Sequence, residues 1–166
     1  QTAWAASVTP SHGKYIGAAS MPMGQYQRKR GDRVGLNWRI PVGTGKRAVR
    51  YALFDTNFWK SFVNSRLRVT MGDPGCLSLF GRQPEQHRLL ADHVAAEFSV
   101  KTEGRGRTVD EWRLRAPGVD NHWLDCLVGC AVAASMGGAA LQGTGGGGGA
   151  AVAASGRKRI SLAALA

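Results

Sequence analysis

The chain has 166 residues, with 22 lysines and arginines against 11 aspartates and glutamates, for a formal net charge of +11. Such totals suit one α/β domain of modest size with an anionic partner, of which nucleic acid is the commonest, although charge alone establishes only solubility and non-specific attraction. They exclude a disulfide framework, because there are three cysteines, and a membrane-spanning helix, because no apolar stretch reaches spanning length.

Residues Gln1 to Ala6 lack the basic start and apolar core of a signal peptide, and the missing initiator methionine suggests that something has been removed from the N-terminus. Trp4 to Ile16 is expected to hold a short strand running into a Pro10-Ser11-His12-Gly13 turn, with His12 a turn residue. Met21 to Gly35 has no sustained periodicity and reads as a basic loop. Its Arg28, Lys29, Arg30 and Arg33 suit a solvated surface and phosphate contact about equally.

Ala48 to Phe54 reads as a strand. Asp55-Thr56 then stands where a cap belongs, before a helix from Asn57 to about Leu67. Phe58, Phe62 and Val63 would line its inner face, with Lys60, Ser61 and Asn64 turned outward. Asp55 follows a strand as catalytic carboxylates do, but its place just before a helix favours a cap. Pro74-Gly75 marks a turn, Cys76 to Phe80 a short strand, and Pro84 to about His93 a helix. Phe98 to Thr102 and Thr108 to Leu114 form an antiparallel pair joined by Glu103 to Arg107. Trp112 in that pair suits a sheet-edge cover better than a base-stacking platform.

Gly118 to Ala134 reads as the last helix, capped by Asp120 or Asn121 and striped by Leu124, Leu127, Val128, Ala131 and Val132. Asp125 borders that stripe, where a carboxylate needs solvent, a partner or a metal. A helix-start charge or a pair with a nearby arginine is the simpler explanation. Cys76, Cys126 and Cys130 read as small buried residues in a reducing compartment, with no neighbouring ligand set for a metal. From Gly137 the composition turns to Gly, Ala and Ser, with little apolar area to offset the cost of ordering. The expected organisation is therefore a folded part over residues 1–136, a flexible linker over 137–156 and a basic tail over 157–166.

Asn121-His122-Trp123-Leu124-Asp125-Cys126, followed by a small-residue helix, resembles the closing motif of the nuclease domain of tailed-phage terminase large subunits, in the lambda-type or GpA branch. Phe54-Asp55-Thr56, then Lys60, then Asn64-Ser65-Arg66-Leu67 is similar to that family's strand, turn and helix ending in Arg-Leu. Pro74-Gly75 resembles its Pro-Gly segment, Gln86 to Glu97 the helix that follows, and Arg157 to Leu162 its basic C-terminal signature. The resemblance covers Ser7 to Met136 and the tail. It rests on the order and spacing of motifs that are each weak alone.

The resemblance implies an RNase H-like α/β fold, a mixed sheet flanked by helices, incomplete at its N-terminus. It also implies cleavage of concatemeric double-stranded DNA during genome packaging, through carboxylates that hold Mg²⁺ or Mn²⁺. Asp125 matches the family's last metal-binding carboxylate, while the first acidic ligand and one farther along the sheet are not recognisable. The separate ATPase domain is missing too, since Gly43-Thr44-Gly45-Lys46 is no phosphate-binding loop. The chain is thus expected to be the C-terminal part of a terminase large subunit, itself inactive, in the cytoplasm of a bacterial host. Double-stranded DNA is its expected partner, with the terminase small subunit and portal protein partners of the full-length protein. Arg28, Lys29, Arg30, Lys60, Arg66 and Arg68 are the candidate phosphate contacts. The alternative is a non-catalytic DNA-binding or packaging-assembly module derived from the same fold.

Overall fold

The computed structural model describes residues 12–43 and 51–140. The opening residues before His12, the Thr44 to Arg50 stretch, most of the expected linker and the basic tail all lie outside them. Along the chain come β1 (His12–Lys14), β2 (Arg33–Gly35), β3 (Trp38–Ile40), β4 (Leu53–Asp55), α1 (Thr56–Leu67), α2 (Arg88–Ala95), β5 (Glu97–Gly104), β6 (Arg107–Leu114) and α3 (His122–Met136). Four strands form a mixed sheet in the order β1-β4-β3-β2, with β1 and β4 parallel and the other pairs antiparallel. The expected α/β class with a mixed sheet flanked by helices holds.

Helix α1 starts where the sequence indicates. The Asp55 carboxylate accepts from the Phe58 amide at 3.1 Å, satisfying one of the donors that a helix start leaves open. The adjoining parallel pair demands a glycine, because a Cβ at Gly13 would sit 2.4 Å from the Thr56 methyl. Trp59 and Val63 of α1 meet Leu124, Val128 and Val132 of α3 and Trp38 and Phe54 of the sheet in one core. Phe58 and Phe62 pack at its margin, and the Trp38 indole nitrogen ties sheet to helix by donating to Ser135 Oγ at 3.0 Å.

The β5–β6 ribbon packs on the other side of α1. Its two-residue turn, Arg105-Gly106, has φ of 50° and 70°, the left-handed pair that matches the twist of a tight hairpin. Asn57 is buried between the layers. Its amide donates to the Ile16 carbonyl at 3.1 Å, and its oxygen accepts from the Trp112 amide at 2.9 Å. The Trp112 indole donates to Ser61 at 2.9 Å and is buried, as a cover for the ribbon should be.

Several expectations are corrected. His12 opens a strand and is not a turn residue. The basic loop contains a 3₁₀ turn at Met23–Gln25 and ends in β2, which pairs with β3. Cys76 to Phe80 is irregular: this segment is held by a bond from the Leu77 amide to the Arg66 carbonyl, not by a sheet partner. Residues from Pro84 wind first as a 3₁₀ turn and only from Arg88 as α-helix. Glu97 opens β5 and does not end the helix before it. Cys126 and Cys130 are exposed, because α3 buries Leu124, Val128 and Val132 and turns the cysteines away.

Candidate functional site

Helix α1 is covered on two sides, so Lys60 and Ser61 do not point to solvent as the amphipathic reading expects. Lys60 stands at the edge where α1, the start of β5 and the first turns of α3 meet. Its Nζ lies 2.6 Å from Glu97 Oε1 and 3.1 Å from Asp125 Oδ1. The Lys60 and Glu97 side chains are nearly enclosed, at 12% and 3% exposure, whereas Asp125 is half open at 52%. The carboxylates are therefore reached from the Asp125 side.

The simpler reading of Asp125, a pair with a basic neighbour, is correct in kind, with lysine in place of arginine. Asn121 occupies the N-cap position of α3 without using its side chain as a cap. Its amide donates instead to Glu97, which thereby has a lysine and an amide on one oxygen. A carboxylate so enclosed is tolerable because it is charge-paired and hydrogen-bonded. Two carboxylates against one ammonium leave a local excess of negative charge inside a strongly basic chain. That is the electrostatic setting that draws a cation.

Asp55 takes no part in this cluster. Burial pushes its carboxyl above the usual carboxylate range, only partly offset by the helix-start amides of Phe58 and Asn57. Glu111 is likewise committed elsewhere. The Ala18 amide donates to it at 3.1 Å and Arg113 pairs with it at 3.3 Å, and that amide first of all holds its pKa low.

Arg28, Lys29 and Arg30 lie exposed on the loop before β2, which folds around the buried Asp32 carboxylate. That carboxylate accepts from the amides of Lys29 and Val42, both at 2.9 Å. No hydrogen bond or ion pair links these three to Lys60, Glu97 or Asp125 among the described residues. Arg66 packs over the Phe62 ring at 5.5 Å, and Arg68 is exposed at the C-cap of α1. Sequence reasoning missed Glu97. The available signal was an acidic residue at the junction of a helix and a strand, and its value depends on what α1 and α3 bring beside it.

Two hard oxygen donors on separate elements, aimed at one positive centre, suit a hard cation better than a soft metal. Among the described residues, however, no group of three or more His, Cys, Asp or Glu converges as a metal site would require. A family model for the endonuclease domain of the terminase large subunit gpA matches residues 19–142. The chain belongs to that family. The gpA endonuclease domain gives it a nuclease role in phage DNA packaging. Asp125, Glu97 and Lys60 all lie inside the span that matches it. Neither the curated proteins nor the solved structures contain a match to the chain. No helix among the described residues is long and apolar enough to cross a membrane.

Proposed function

We propose that Glu97 and Asp125 are carboxylate ligands of a Mg²⁺- or Mn²⁺-dependent site that cuts concatemeric double-stranded DNA during packaging. The observation that supports this is their convergence on one ammonium, Lys60 Nζ, from two different elements. Held by these carboxylates, divalent ions would supply Lewis-acid chemistry, the activation of a water and the stabilisation of the leaving oxygen. The protein's own part is positional. Asn121 and Lys60 orient the Glu97 carboxylate, while Asp125 presents its oxygens at the open side. Lys60 has three N–H donors and two carboxylate partners, so one donor remains for a phosphate oxygen of the substrate.

Two carboxylates are too few for a two-metal site, and we expect the described residues by themselves to cut DNA very slowly or not at all. The complete enzyme then draws at least one more acidic ligand from beyond them. Its partners are duplex DNA and, in the full-length protein, the terminase small subunit and portal. Because Lys60 already neutralises much of the pair, a domain that keeps the fold and only binds DNA is the second reading.

Calorimetry with Mn²⁺ separates the two. Weak Mn²⁺ binding that Asp125→Asn and Glu97→Gln each abolish is the expected result. Binding that neither substitution alters, or no binding in a longer chain that includes the missing ligand, would leave the DNA-binding reading. Mg²⁺-dependent nicking of supercoiled plasmid by the chain alone, lost on Asp125→Asn, would overturn the expected inactivity.

A further inference from the structure

Beside Glu97 lies a cavity of about 520 Å³, bounded by α1, α2, the β5–β6 ribbon and α3, and open on one side. Leu67, Leu90, Val94, Phe98, Trp112 and Leu127 make its walls mainly apolar. Its polar groups are Asn64, Arg68, Ser99 and Arg115, together with Glu97. Arg115 is set in place before any ligand arrives. Its Nε donates to the Ala95 carbonyl at 2.6 Å and its guanidinium lies 5.6 Å from the Phe98 ring centre. Arg68 is exposed where α1 ends. Lys60, Asn64 and Arg68 follow at four-residue intervals, so they share one face and rise by about 6 Å per step. That step is of the order of the spacing between successive phosphates on an extended strand.

Apolar walls that can take a base and sugar, two guanidinium groups for phosphate, and a shared wall with a cleavage carboxylate describe one kind of occupant. We propose that this cavity receives an unstacked nucleotide adjacent to the scissile phosphate, with its own phosphate held by Arg68 and Arg115. The proposal rests on the nuclease reading of Glu97 and Asp125 and adds how the strand is positioned there. Withdrawing a nucleotide from a duplex breaks its pairing and stacking, so such a cavity favours cutting where the duplex is already weakened.

The test is the binding of a short fluorescein-labelled single strand to the whole chain in EDTA, followed by anisotropy, with thymidine 5′-monophosphate as competitor. Arg68→Ala should weaken binding about tenfold, the scale of one charge-assisted phosphate contact. Ala91→Trp, which fills the cavity from α2 without changing charge, should weaken it as much. Lys101→Ala removes an exposed charge on β5 outside the lining and should cost less than about twofold. Folded Ala91→Trp protein that binds like the parent would overturn the proposal, and so would equal losses from Lys101→Ala and Arg68→Ala. Should Ala91→Trp fail to fold, the Arg68 and Lys101 comparison decides alone, since both are exposed. Strand binding here is read without metal, whereas the carboxylates are read by Mn²⁺ calorimetry without DNA, so a failed cavity and a failed metal site give different results.

Discussion

Asp55 and Asp125 are both acidic residues beside a helix start, yet their surroundings give them opposite tasks. Asp55 is largely enclosed and accepts from the Phe58 amide, and burial raises its pKa. A raised carboxyl pKa means that the native state holds the proton more tightly than the unfolded chain. Stability from this group is therefore greatest below the ordinary carboxylate pKa and falls as pH rises through the raised value. At neutral pH, Asp55→Asn keeps a capping oxygen and removes the buried charge, so its melting temperature should equal or exceed the parent's. Asp55→Ala should lose about 1 kcal/mol in denaturant unfolding.

Asp32 behaves in the opposite sense. The Lys29 amide first and the Val42 amide second hold its pKa down. Its contribution is complete above the ordinary carboxylate pKa and is lost as pH falls through the lower folded value. Amide-exchange protection at Lys29 and Val42 should persist through the ordinary carboxylate range and be lost only at more acid pH, as Asp32 takes up its proton. Asp32→Asn should remove that pH dependence.

At the scale of elements, α3 carries both the core and the site. Leu124 is fully buried, and the next residue, Asp125, is half exposed at the cluster with Lys60. Leu124→Ala should cost about 2–5 kcal/mol in denaturant unfolding, through lost burial and the cavity left behind. Because Leu124 anchors the turn that presents Asp125, Mn²⁺ affinity should weaken in the same variant even where it remains folded.

Helices α1 and α3 and the β5–β6 ribbon are legible in the sequence for local reasons. Asp55-Thr56 ends a strand at a cap, Leu124, Val128 and Val132 recur at helical spacing, and Arg105-Gly106 supplies the turn. The β2–β3 pair is not legible. Its strands have three residues each, β2 is exposed throughout, and its turn relies on Asn37 at φ 49° with no glycine. Three residues are too few for alternation to show.

For the whole molecule, a net charge of +11 makes DNA affinity strongly dependent on salt whatever the chemistry at Asp125. Arg28, Lys29 and Arg30 are exposed and separate from the carboxylate cluster. Replacing all three by alanine should reduce the slope of log affinity against log salt by about 3 if each meets a phosphate. Mn²⁺ binding should not change. A slope equal to the parent's would assign those charges to solubility alone.

By itself, the sequence determined the strongly basic charge, the α/β class, the capped helix after β4 and the last helix with its acidic residue, because charge, periodicity and capping act over a few neighbouring residues. Only the tertiary structure decided that Glu97 belongs beside Asp125, and that Lys60 faces them both instead of water. Those residues come from three elements far apart in the chain. No local pattern marks their meeting, since it depends on α1 being packed between the α3 core and the β5–β6 ribbon.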